Sequence, residues 1–164
     1  MMISEKLSAA ISAQIGRELG ASHQYLAIAV YFDREVLPEL GKFFYAQSAE
    51  EREHAMKLLH YVVETGGKVT IPAVEAPKAD IGSAENALKL SLEWEQEVTR
   101  QITALMDQAV KESDYLAQDF LRWFVNEQLE EITTMETLLS IIRRAGPSGL
   151  MFVENYVRHR AQAG

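Results

Sequence analysis

The chain has 164 residues, 48% hydrophobic and 24% charged, with a formal net charge of −8 and no cysteine. That length suits one domain with a full-sized core, and the acidity argues against nucleic acid as a main partner. The absence of cysteine excludes disulfides, thiolate zinc sites, iron–sulfur clusters and cysteine nucleophiles.

No apolar run approaches the roughly 20 residues needed to span a bilayer, so no membrane partner is expected. Met1-Met2-Ile3-Ser4-Glu5-Lys6 lacks the apolar segment and cleavage site of a signal peptide, and a cytoplasmic protein is expected.

In chain order, the periodicity predicts a first helix from Ser4, a plausible N-cap, to about Glu35. Its inward stripe is Leu7, Ile11, Gln14, Glu18, Ala21, Tyr25, Ile28 and Phe32. Leu37-Pro38-Glu39-Leu40-Gly41 breaks and restarts the chain. The second helix runs from about Pro38 to about Thr65, with the stripe Leu40, Phe44, Gln47, Glu51, His54, Leu58 and Tyr61. Gly66-Gly67 ends it in the manner of a left-handed cap.

The stretch from Gly67 to Ser83 has no helical pattern and contains Pro72 and Pro77. It is longer than most loops in compact bundles. Extended, roughly 16 such residues cover about 50 Å, more than the about 42 Å of a long helix. Such a connection can run the length of a bundle and make the second and third helices parallel.

Ser83 caps a third helix reaching about Glu112, with the stripe Leu88, Leu92, Glu95, Thr99, Ile102, Met106 and Ala109. Ser113-Asp114 supplies a turn and a cap. The fourth helix runs from about Asp114 to about Ala145, with Leu121, Phe124, Gln128, Glu131, Met135, Leu138 and Ile142 inward. After the break at Gly146-Pro147-Ser148-Gly149, a short fifth helix is expected over about 148–161. Its apolar residues are Met151, Phe152, Val153, Tyr156 and Val157. Too short to be stable alone, it must pack on the bundle or on another subunit. The expected fold is an all-α four-helix bundle over about 4–145, with a long crossover and a fifth C-terminal helix, forming one domain over 1–164.

Polar residues interrupt the apolar seams in phase. Glu51 and His54 lie three apart on one face of the second helix, and an unpaired buried charge costs several kcal/mol. A metal ion and a buried ion-paired network are the two readings of that pair. The spacing decides between them. Glu18 precedes Glu51 by 33 residues and Glu95 precedes Gln128 by 33, with His54 and Glu131 each three further on. Two helical hairpins thus carry equivalent polar positions, and pairing them gathers Glu18, Glu51, His54, Glu95, Gln128 and Glu131 at one level. Four carboxylates balance two divalent cations, and carboxylate with imidazole suits Fe, Mn or Zn. The halves differ, Glu51-x-x-His54 against Gln128-x-x-Glu131, so one metal should be held more firmly than the other.

At these residues the sequence resembles the non-haem bacterial ferritins. The resemblance spans essentially the whole chain. Its landmarks are Glu18 with Tyr25, then Ala49-Glu50-Glu51-Arg52-Glu53-His54-Ala55, then Glu95, then Trp123-Phe124-Val125-Asn126-Glu127-Gln128-Leu129-Glu130-Glu131. It implies a ferroxidase that oxidises Fe(II) with O2 or peroxide and stores ferric mineral inside a 24-subunit homo-oligomeric shell. It implies Glu18, Glu51 and His54 around the first iron, and Glu51, Glu95 and Glu131 around the second, with Gln128 beside it. Tyr25 would be a hydrogen-bond or redox partner. Glu50, Glu127 and Glu130 would form a third iron site facing the cavity, or simply a solvated acidic face.

Relatives that bind haem carry a methionine directly after the bridging glutamate. Arg52 stands there in this chain, so no haem is expected, and Met56 and Met135 read as core. His23, His60 and His159 are lone histidines, and Trp94 and Trp123 read as packing. Two competing functions remain: a soluble di-iron oxidase or peroxidase without mineral storage, and a metal-free structural bundle.

Overall fold

The computed structural model describes residues 2–163; Met1 and Gly164, the ends of the expected domain, lie outside the described residues. In order come α1 (Glu5–Arg34), α2 (Pro38–Glu64), α3 (Ala84–Lys111), α4 (Tyr115–Ala145) and α5 (Leu150–Ala163), with a 3-10 turn at Pro147–Gly149 before α5. No strand occurs among the described residues, and the expected all-α fold is borne out. None of these helices is long and apolar enough to cross a membrane.

Local chemistry sets the boundaries. The Ser4 hydroxyl accepts the Leu7 N–H at 3.0 Å, Ser83 accepts that of Asn86 at 3.1 Å, and Asp114 accepts that of Ala117 at 2.9 Å. Each satisfies an N–H that the first turn of a helix leaves unpaired. Gly66, with φ 77°, takes the left-handed conformation that ends α2, and the Gly67 N–H returns to the Val62 carbonyl at 2.8 Å. Among α1 to α4, α2 alone has no side-chain cap from its own flank. A glutamate 114 residues further along supplies it: the Glu154 carboxylate on α5 accepts the N–H groups of Glu39 and Leu40 at 3.0 and 2.8 Å.

Hydrogen bonds fix the directions. Ser22 meets Ser48 mid-helix and the Met2 N–H reaches the Thr65 carbonyl, so α1 and α2 run antiparallel. Ser4 at the start of α1 donates to Glu112 at the end of α3, at 2.6 Å, so α1 and α3 are antiparallel too. It follows that α2 and α3 are parallel, as the long connection requires. That connection climbs α1 as a strap. The Ser8 hydroxyl donates to the Lys68 carbonyl at 2.9 Å, Ser12 accepts the Thr70 N–H at 3.2 Å, and the Gln24 amide pairs with both backbone groups of Lys78. Gly16 makes room for it: a Cβ there would fall 2.2 Å from the Pro72 ring.

The core is divided. One apolar cluster gathers Tyr25, Phe32, Phe44, Leu88, Met135 and Leu138. The other gathers Leu7, Ile15, Leu58, Ile102, Leu121 and Phe124. Between them on every long helix lies a polar level. Glu18 falls between Ile15 and Ala21, Glu51 and His54 between Phe44 and Ala55, Glu95 between Leu88 and Val98, and Gln128 and Glu131 between Phe124 and Met135.

One expectation needs correction. On α3 the buried seam runs through Leu88, Ser91, Glu95, Val98, Ile102 and Leu105; Leu92, Thr99 and Met106 are only half-buried. The helix is turned by one residue at alternate positions, toward α1 and α4. The fifth helix extends to Ala163, and of its expected apolar residues only Val153 and Val157 pack inward. Met151 and Phe152 are 72% and 79% exposed.

Candidate metal centre

Glu18, Glu51, Glu95 and Glu131 come from four different helices, and each is under 5% exposed, as Gln128 also is. His54, one turn beyond Glu51, is 5% exposed. Glu18, Glu51 and His54 each offer a ligand atom within 4.8 Å of the others, and so do Glu51, Glu95 and Glu131. Glu51 belongs to both groups and stands between them. The His54 Nδ1 lies 3.4 Å from Glu51 Oε2 and 3.9 Å from Glu18 Oε2.

Three buried amides hold one oxygen each of three of these carboxylates. Gln14 donates to Glu18 Oε1 at 3.0 Å, Gln47 to Glu131 Oε2 at 2.7 Å, and Gln128 to Glu95 Oε2 at 3.0 Å. Gln128 also donates to the Glu95 carbonyl and to Thr99. The Tyr25 hydroxyl donates to the other Glu95 oxygen. Glu51 has no amide partner. Its Oε1 and Glu18 Oε2 are buried with no hydrogen-bond partner at all. Buried carboxylate oxygens are satisfied in folded proteins as a rule, and two orphans at one level are where a cation could be held.

The electrostatics agree. Burial, then the nearby Glu95 and Glu18, push Glu51 well above the usual carboxylate range. Burial also raises Glu95, against the hydrogen bonds from Tyr25 and Gln128 that favour its charged form. Burial and Glu95 push Glu131 up to about 8. Burial, with Glu95 next, raises the Tyr25 hydroxyl well above its ordinary value. Burial and mutual repulsion thus favour the protonated forms of these carboxyls, and a divalent ion would oppose that. Carboxylates with one imidazole and no thiolate are a hard, oxygen-rich donor set that iron fits.

The three residues expected to form an outer site are placed differently from one another. Glu127 is half-buried, and its Oε1 lies 3.9 Å from His54 Nε2. It forms a third close group with His54 and Glu131. Glu50 and Glu130 are exposed and join no close group of three among the described residues. They line, with Glu127, Glu131, Gln47 and Arg160, an open recess of about 500 Å3 beside the cluster. Partial desolvation of its carboxyl in the recess, with Glu127 and Glu130 nearby, raises Glu50 from its ordinary value.

Sequence reasoning had Gln14 and Gln47 on the seams but gave them no part in the site. Their signal is the same 33-residue interval that relates Glu18 to Glu51. Trp123, read as packing, stands edge-on to the His54 ring at 5.4 Å and carries the Lys57 ammonium 3.5 Å over its face. With Phe124, 6.0 Å away on the other contact, it fixes the plane of the imidazole.

The family model of the ferritin-like domain matches residues 8–145, which includes every residue of the cluster. The chain belongs to the ferritin family. It is 43% identical over 158 residues to ferritin BfrB of Mycolicibacterium smegmatis, covering 96% of this chain and 87% of that one. It is 39% identical over 145 residues to the bacterial non-heme ferritin of Staphylococcus aureus, covering 88% and 87%. Among solved structures, the open pore ferritin of Archaeoglobus fulgidus superposes with a TM-score of 0.92 at 34% identity, over 95% of this chain and 96% of that one. Family and fold together support iron storage as the role of this ferritin, and the carboxylate–histidine groups are where metal could be held.

Proposed function

We propose that this ferritin is a cytoplasmic ferroxidase and iron store. On this reading Fe(II) binds within the bundle, each ion gives up one electron to O2 or peroxide, and the ferric product is deposited inside a 24-subunit shell. The observation that carries the reading is the pair of orphaned buried oxygens, Glu18 Oε2 and Glu51 Oε1, within a cluster of four carboxylates and one imidazole.

Glu18, Glu51 and His54 would hold one iron, and Glu51, Glu95 and Glu131 the other, with Glu51 bridging. Gln128 and Tyr25 would act on Glu95, Gln128 by fixing one oxygen and Tyr25 by donating to the second. Two Fe(II) ions supply the two electrons that reduce O2 to hydrogen peroxide, or peroxide to water, with protons taken from solvent and from the displaced carboxylates. Glu127, facing both His54 and the recess, would with Glu50 and Glu130 form a third iron site between the pair and the cavity. Haem has no part in this account, since Arg52 stands where haem-binding relatives carry a methionine.

Aerobic loading of the purified protein with Fe(II), followed by sizing and iron analysis of the same particle, tests the storage claim. The expected result is a particle of about 440 kDa, 24 chains of 18.5 kDa, carrying many irons per chain. A dimer that oxidises iron but retains none would instead establish a soluble di-iron oxidase.

A further inference from the structure

Building on the reading of the cluster as an iron site, we propose that Arg17 and Gln14 form a positioning line that selects which oxygen of Glu18 faces the metal. Gln14, Arg17 and Glu18 stand at i, i+3 and i+4 on α1, so they share one turn of one face. The line starts at the surface and ends in the core. The exposed Arg17 donates from Nη1 to Gln14 Oε1 at 3.2 Å. Gln14, fully buried, donates from Nε2 to Glu18 Oε1 at 3.0 Å.

A guanidinium only donates, so the amide oxygen must face Arg17 and the amide N–H must face Glu18. With Oε1 engaged, Glu18 has one oxygen left. That oxygen, Oε2, is the orphan that lies 3.9 Å from His54 Nδ1. Gln14 is the one amide that donates to the Glu18 side chain among the described residues. Groups behind a ligand commonly change metal affinity by 10–100-fold.

Among the described residues Gln14 makes no hydrogen bond to Glu95 or Glu131, whose oxygens are held by Tyr25, Gln128 and Gln47. The line therefore acts on the His54 side alone. Its outer end is a surface feature: Arg17 lines a groove between α1 and α3 with Glu93, Trp94, Glu97 and Gln101. Firmness of the first iron is thus set partly from outside the bundle, by a residue no metal touches.

The test is titration of the metal-free assembled protein with Co(II), a redox-inert probe whose visible spectrum reports its ligands. His54→Ala and Glu131→Ala identify the two binding events by removing one each. Gln14→Met is expected to weaken the His54 event by about tenfold and leave the other unchanged. Arg17→Ala should weaken the same event by less, and Arg17→Lys, which keeps a donor, should restore it. Arg17 is exposed, so its variants decide the matter even if Gln14→Met fails to fold. Two cobalt ions bound in the wild type, with the His54 event unmoved in Arg17→Ala and in a folded Gln14→Met, would overturn the proposal alone. Equal weakening of both events would also overturn it. No cobalt bound in the wild type would overturn the iron-site reading and this proposal together.

Discussion

Glu51 is the residue on which the centre turns. It belongs to two of the close groups, lacks an amide partner, and keeps one oxygen unpaired. A carboxylate that no amide or hydroxyl holds is free to adjust between two ions, whereas Glu18 and Glu131 are each pinned at one oxygen and Glu95 at both. Glu51→Ala should therefore abolish both metal-binding events in calorimetric titration, while Glu131→Gln weakens one. The protonation of these side chains predicts the pH behaviour. Glu131 keeps its proton up to about 8 in the folded chain, against 4.5 for a free carboxyl. The folded state therefore binds more protons between those limits, and its stability falls as pH rises through them. Glu51 and Glu95, both raised, act in the same direction. In chelator, the melting temperature should drop between pH 5.5 and 8.5 by the equivalent of more than about 1 kcal/mol. Glu131→Gln should flatten that slope, and a divalent cation should reverse it.

At the level of helices, the interplay between α5 and α2 can be tested directly. Glu154 supplies the cap that α2 lacks, with a negative charge at the positive end of the helix dipole. Glu154→Ala should cost about 1–2 kcal/mol, with faster amide exchange at Glu39 and Leu40. This contact was not legible in the sequence, because nothing local at Leu37-Pro38 points to a residue so far along the chain. The seams of α1, α2 and α4 were legible, since apolar residues recur there with little ambiguity. On α3 the sequence offers Val98 beside Thr99 and Leu105 beside Met106, pairs in which either neighbour could turn inward. Packing against α1 and α4 chose the first of each. The cluster was legible for a different reason: Glu18, Glu51, Glu95 and Glu131 are acids on otherwise apolar seams, and such interruptions stand out. Gln14 and Gln47 interrupt the same seams, but an uncharged amide does not announce a partner, and their roles depend on distances that only the folded chain provides.

Across the whole molecule, the fold converts an internal repeat into one polar level between two apolar clusters. The strap allows this. By carrying the chain along α1 from Ser8 to Gln24, it makes α2 and α3 parallel and brings the two hairpins into register. The exposed Met151 and Phe152 on α5 suit a chain that assembles with copies of itself. The central claim is that the level between the clusters oxidises iron in pairs. Rapid mixing of the metal-free protein, preloaded anaerobically with increasing Fe(II), against dissolved O2 tests it most directly. The account predicts a fast oxidation phase whose amplitude saturates at about two irons per chain, one for each close group sharing Glu51, and which vanishes in Glu51→Ala. A fast phase that saturates at one iron, or one that survives the loss of Glu51, would contradict it.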